Sequence, residues 1–118
     1  MSAEPAIIVQ SLDAGALEPD PIPPEQVIAG SPLANERLIG RWQSGALTGV
    51  WRCEPGRFTD VEADESFVVI EGCASIRHGD AVHEVGPGDV CVLPAGAETE
   101  WTVHETLVKV YVLDPDPD

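Results

Sequence analysis

The sequence predicts an all-β protein, and three observations carry that prediction. From Glu36 onward, short runs of β-branched, aromatic and apolar residues are separated by Gly, Pro and Asp about every eight to twelve residues, the spacing of a sandwich or barrel. Tight-turn residues sit between those runs. No stretch free of Gly and Pro repeats apolar positions at the helical period, apart from a weak one around 25–30.

Residues 1–34 read as an extended arm. Pro5, Pro19, Pro21, Pro23, Pro24 and Pro32 block helices and remove ladder donors. Within the arm, Ile7, Ile8 and Val9 are consecutive β-formers, expected either to add a short edge strand or to hang as a free tail. Strands are expected near 37–43, 46–53, 57–61, 65–71, 73–78, 81–85, 89–93, 98–103 and 107–113. His78-Gly79-Asp80 marks a hairpin, because Gly supplies the positive φ such turns need. Gly86-Pro87-Gly88-Asp89 and Pro94-Ala95-Gly96 mark two further turns.

Period-two alternation assigns faces. In 98–103, Thr99, Trp101 and Val103 share one face and are expected inward. In 65–71 both faces are largely apolar, with Glu65 the exception. In 107–113, Lys109 lies opposite Val108, Val110 and Val112, and alternation alone leaves open which face is interior. The organisation is therefore an arm over 1–34, a barrel over 35–113, and an acidic Asp-Pro-Asp-Pro-Asp tail over 114–118 read as solvated.

At 118 residues the chain is long enough to bury a core without disulfides or metals. Asp and Glu number 21 against 6 Lys and Arg, a formal net charge of -15 that repels phosphate backbones and anionic headgroups. Nucleic acid and acidic membranes are excluded as partners. No apolar run approaches the roughly 20 residues of a spanning helix, and the start of the chain has neither a basic region nor an apolar signal core, so the expected location is the cytoplasm. Cys53, Cys73 and Cys91 are odd in number and widely spaced. They read as small hydrophobes in a reducing compartment. His78, His83 and His104 flank turns or end strands and read as surface residues.

Glu65-Ser-Phe-Val-Val-Ile-Glu-Gly72 followed by Gly88-Asp-Val-Cys-Val-Leu-Pro94-Ala-Gly96 resembles the two motifs of the cupin superfamily, Glu-x6-Gly and Gly-x5-Pro-x-Gly. Gly49-Val-Trp51, Pro55-Gly56, Asp64-Glu65, Trp101, Lys109-Val-Tyr111 and the entry segment Pro19-Asp-Pro-Ile-Pro-Pro24 with Gly30-Ser-Pro32 narrow it. Together they look like the small cupins that include ureidoglycine aminohydrolase-like and ethanolamine-utilisation-like domains. The resemblance implies a double-stranded β-helix, or jelly-roll, barrel with an extended N-terminal arm.

The resemblance also implies metal ligands, and here the pattern departs. The positions of the superfamily's His-x-His fall on Phe58 and Asp60 or on Thr59 and Val61, and its second-motif histidine falls on Thr99. Of four ligand positions only Glu65 survives, with Asp60 as a second oxygen. Without imidazole a divalent cation there is weakly held, so no tight metal and no cofactor is expected.

Glu65 has two readings: a barrel-mouth acid bonded to backbone, Lys109 or an arginine, or a pocket carboxylate that binds a ligand or moves a proton. Trp51 and Trp101 either fill the barrel or wall a pocket. Thr99, at the lost histidine's position, is expected to face the same cavity. Lys109, the single lysine, is either an ion-pair partner or a substrate clamp. The functional expectation is a small-molecule-binding barrel without tight metal, its ligand met by Trp51, Glu65, Phe67, Thr99, Trp101 and Lys109. The alternative is an enzyme of the ureide, amine or sugar class with Glu65 as general acid or base. Strands apolar on both faces need an outer cover, so a homodimer is expected.

Overall fold

The structure is a computed structural model that describes residues 6–12 and 17–115. Among these, nine strands and one short 3-10 turn form a single curled sheet, a jelly-roll barrel. The strands are β1 (Glu18–Pro19), β2 (Val27–Gly30), β3 (Ala34–Arg41), β4 (Leu47–Cys53), β5 (Gly56–Val61), β6 (Asp64–His78), β7 (Ala81–Val85), β8 (Val90–Leu93) and β9 (Glu98–Asp114). All strand pairs are antiparallel. The weak helical period around 25–30 resolves into the 3-10 turn Pro24–Gln26 and then β2. Of the tail over 114–118, Asp114 closes β9 and residues 116–118 lie outside the described residues.

The barrel is organised by one long ribbon. Strands β6 and β9 are 15 and 17 residues long and pair from Asp64↔Asp114 to Arg77↔Glu100. The four strands expected at 65–71, 73–78, 98–103 and 107–113 are thus two. What separates the halves is a run of register shifts between Val69 and Ala74, centred on Gly72. Gly72 has φ 81°, and a Cβ there would lie 2.0 Å from the Thr106 carbonyl oxygen, so glycine alone lets the two backbones approach. Extra residues on one strand bend it and increase its twist. The bend lets the first half of β6 pair with β8 and the second half with β7, while β9 takes β4 along one half and β5 along the other.

The predicted turns fall in place. Gly79 (φ 61°) makes the β6–β7 hairpin, Gly88 (φ 89°) the β7–β8 turn and Gly96 (φ 87°) the β8–β9 turn. The arm packs on its own barrel: β1 pairs with β3, β2 pairs with β5, and the Asp20 amide donates to the Ala34 carbonyl at 3.0 Å. Ile7–Val9 is a correction to the edge-strand alternative. Those residues form no strand, and Ile7 and Val9 are 94% and 88% exposed; along the β3 edge only Asn35 and Glu36 are paired by the arm, through β1, and β propensity without a ladder partner does not make a strand.

Alternation holds along the ribbon. Phe67, Val69, Trp101, Val103, Leu107, Lys109 and Tyr111 are buried on the inner face, and Glu65 shares it. The open question about β9 is answered: Lys109 points inward and Val112 outward. No helix of the described residues is long and apolar enough to cross a membrane.

Candidate functional site

Lys109 places the only lysine charge of the chain inside an apolar barrel, where an unpaired ammonium would be very costly. The β4–β9 register sets Trp51 directly across from it, and the β6–β9 register sets Val69 on its other side. Its Nζ donates to Glu65 Oε2 at 2.8 Å. Their side chains are only 8% and 11% exposed. Nζ lies 4.7, 4.3 and 4.9 Å from the ring centroids of Trp51, Phe67 and Trp101. Three aromatic faces with their negative quadrupoles thus share the solvation of the ammonium with one carboxylate.

The rings also hold one another. Phe58 stacks on Trp101 at 6.0 Å and 9°, and Trp51 meets both edge-on at 6.4 and 6.1 Å. Each such pair contributes about 0.5–1.5 kcal/mol beyond burial. The lysine therefore sits in a box whose walls come from β4, β5, β6 and β9.

A second carboxylate is buried beside this box. Glu62 lies in the turn between β5 and β6, and the Pro94–Ala97 turn clamps its backbone: the Glu62 amide donates to the Ala97 carbonyl at 2.9 Å, and Gly96 donates to the Glu62 carbonyl at 2.7 Å. So fixed, Glu62 Oε2 accepts from Thr99 Oγ1 at 2.6 Å and from Trp101 Nε1 at 3.0 Å. Asp60 stands next to it. Burial, and after it the neighbouring Glu62 carboxylate, push the Asp60 carboxyl up to about 6. Toward the mouth, burial and then Asp20 raise the Glu36 carboxyl, and the Tyr111 hydroxyl donates weakly to it at 3.4 Å.

Together these groups line a cavity of about 330 Å³. Trp51, Phe58 and Trp101 form its apolar wall, and Pro21, Ile22 and Pro23 of the arm close one side.

Among the sequence-predicted residues, the structure brings Trp51, Glu65, Trp101 and Lys109 together on this cavity. Phe67 and Thr99 stand behind it. Phe67 is 2% exposed and supports the lysine from below. Thr99 does not line the cavity, because its hydroxyl is turned to Glu62. Glu65 is not free to act alone, since its near oxygen is tied to Lys109. Glu62, Glu36 and Tyr111 were missed as site residues. Only Tyr111 carried a signal, its two-residue offset from Lys109.

The donor set does not fit a transition metal. Glu65 is bound to an ammonium, Thr99 and Trp101 are donors to Glu62, and among the described residues no three His, Cys, Asp or Glu side chains are placed to hold an ion. His78, His83 and His104 are exposed. Burial pushes the Cys53 thiol up to about 12 and also raises Cys91, so these sulfurs are inert packing groups.

The EutQ-like cupin domain model matches residues 43–111. Solved structures share the fold. A protein of unknown function from Pseudomonas syringae pv. tomato superposes with a TM-score of 0.77 at 23% identity, over 85% of this chain and 45% of that one. A putative ethanolamine utilization protein Q from Salmonella typhimurium gives 0.62 at 23%, over 70% of each chain. A cupin-2 domain containing protein from Shewanella frigidimarina gives 0.57 at 26%, over 69% of this chain and 79% of that one. No curated protein matches the chain.

Two expectations follow from the buried charges. Lys109→Met strands the Glu65 carboxylate in the aromatic box and should lower unfolding free energy by roughly 3–5 kcal/mol, whereas Lys109→Met with Glu65→Leu should recover most of it. Denaturant unfolding of the three proteins reads this, and a single-variant cost below about 1 kcal/mol means the pair is solvated. Asp60, with its folded pKa raised, contributes stability at low pH that is lost as pH rises through about 6. Asp60→Asn should therefore raise the melting temperature at pH 7.5 and leave it unchanged near pH 4. An equal effect at both pH values would reject the raised carboxyl.

Proposed function

The chain belongs to the EutQ-like cupin domain family, and on that premise we propose that it binds a small polar organic ligand in the barrel cavity without a tightly held metal. The observation that carries this reading is the buried Lys109–Glu65 pair at a cavity of about 330 Å³. The size is that of a small-molecule site, and a few convergent polar groups on an apolar wall are what such sites use to orient a ligand. The chain's own ammonium supplies the fixed positive charge of this interior. Cytoplasmic residence belongs to the same proposal, supported by three free cysteines.

A second reading has one specific observation in its favour. A carboxyl titrating near 6 is poised for general acid or base work, so an enzyme of the ureide, amine or sugar class would use Asp60 for proton transfer. Glu65 would instead hold Lys109 in place.

We also infer a homodimer. On the outer face, Val90 and Val92 of β8 and Val112 of β9 are 71%, 74% and 42% exposed. The registers Ser66↔Val92 and Ser66↔Val112 set Val92 and Val112 on either side of Ser66, and Val68↔Val90 sets Val90 two residues along β8 on the same face. A second copy covers such a face with like side chains. The net charge of -15 opposes association, so salt should tighten it.

A thermal-shift screen of small polar compounds tests the binding reading. A ligand at a hundredfold excess over its Kd adds about 2.7 kcal/mol of stability. Its effect should vanish in Trp51→Ala and survive a chelator. Hits that persist in Trp51→Ala bind elsewhere, and hits lost with chelator need a metal. For assembly, sedimentation at physiological salt should give about twice the 12.5 kDa chain mass, and a monomer mass rejects the dimer.

A further inference from the structure

We propose that Lys109 captures carbonyl compounds: the ligand of this cavity is a small neutral aldehyde, held covalently at Nζ as an iminium, with its carbon skeleton against the Trp51 ring. The inference rests on the binding reading above and names its ligand class.

Placement gives the first reason. Lys109 and Glu65 both line the cavity of about 330 Å³, yet their side chains are only 8% and 11% exposed. An amine that captures a carbonyl needs a base within hydrogen-bond reach, space for the carbonyl carbon, and surroundings dry enough to protect the product from hydrolysis. Glu65 Oε2, at 2.8 Å from Nζ, is the base. Moving a proton from the ammonium to that carboxylate removes two buried charges at once, so the apolar box narrows the gap between ion pair and neutral pair. A lysine in water stays an ammonium at neutral pH.

The step closes without a co-reactant. Nζ passes one proton to Glu65, and its lone pair forms the C–N bond as the carbonyl π pair moves to oxygen. A second proton then goes from nitrogen to that oxygen, and Glu65 returns the first one to it. The oxygen leaves as water while the nitrogen lone pair closes the C=N bond. Two of the three ammonium protons have left in the water, Glu65 is again a carboxylate, and the positive charge is still on nitrogen.

The aromatic box suits this product as well as it suits the ammonium. Trp51, Phe67 and Trp101 surround Nζ at 4.7, 4.3 and 4.9 Å from their ring centroids, and an iminium keeps its charge at the same atom with Glu65 as counter-ion. Charge then selects the carbonyl compound. Asp20, Glu36, Asp60 and Glu62 line the cavity besides Glu65, and none of the arginines among the described residues does. These acids repel a carboxylate or phosphate on the ligand. A neutral aldehyde enters without charge, and its capture leaves the charge of the site unchanged.

Because Lys109 is the single lysine, the α-amino group is the only other primary amine of the chain and serves as an internal control. We would treat the protein with propanal, benzaldehyde or glyoxylate together with cyanoborohydride, which reduces an iminium to a stable secondary amine, and locate the adducts by peptide mapping. Propanal and benzaldehyde should label Lys109 saturably and about a hundredfold faster in the folded than in the urea-unfolded chain, each normalised to the α-amino group. Glyoxylate, although the stronger electrophile, should label the α-amino group alone. Trp51→Ala, with its spectrum still dispersed, should bring Lys109 labelling down toward the unfolded rate. The proposal fails if folding does not accelerate labelling of Lys109, if glyoxylate labels it as readily as propanal, or if Trp51→Ala labels like the parent protein. The Trp101 indole N–H signal of 15N-labelled protein then separates the two readings. Saturable shifts by the aldehydes without an adduct at Lys109 overturn the iminium and leave the cavity a binding site, whereas no adduct and no shift with any probe overturn both.

Discussion

An ammonium inside a small β-barrel has to find its solvation from the protein, and the Lys109–Glu65 pair with its ring of aromatic faces is how this chain supplies it. Much of the interior is arranged to that end. Trp51 is set across from Lys109 by the β4 register, Phe67 turns its ring to the ammonium, and Trp101 is braced by Phe58. Because one carboxylate and three rings satisfy the lysine, the other acids of the cavity are left without a cation of their own.

The geometry depends on the β6–β9 ribbon more than on any loop. Glu65 and Phe67 come from the first half of β6, and Lys109 and Tyr111 from the second half of β9, directly alongside. Thr99 and Trp101 come from the other half of β9, beyond the irregular stretch at Gly72. The bend there turns one long strand pair into two walls of a barrel, so residues distant along the ribbon meet across the cavity. Glu62 joins them because the Pro94–Ala97 turn fastens its backbone on both sides. The arm completes the enclosure by adding Ile22 and its flanking prolines over one side.

Much of this was legible in the sequence, for identifiable reasons. Turn glycines and period-two alternation act locally, so Gly79, Gly88 and Gly96 marked their turns and Thr99, Trp101 and Val103 their face. The motif spacing around Glu65 pointed to the barrel, and a lone lysine among valines suggested an acid partner, which Glu65 is. Other features are set by tertiary registers that no local pattern encodes. Gly72 reads as a strand break, whereas it permits a close backbone approach within a continuous strand. Glu62 sits in a turn, outside any alternation, so nothing in its neighbourhood marks it as buried. Thr99 was aimed inward correctly, but whether its hydroxyl meets a ligand or Glu62 depends on the Pro94–Ala97 turn. Ile7–Val9 looked like a strand because propensity counts residue types and not whether a ladder partner is met.

Lys109 offers the most direct test of the buried pair, since it is the single lysine of the chain and lysine-selective 13C,15N labelling reports on it alone. Packed among three rings, its side-chain methylene protons should be shifted upfield by ring currents. They should show nuclear Overhauser contacts to Trp51, Phe67 and Trp101, and Glu65→Gln should move the Nζ signal. Random-coil methylene shifts without aromatic contacts, unchanged by Glu65→Gln, would place Lys109 in solvent and contradict the buried pair.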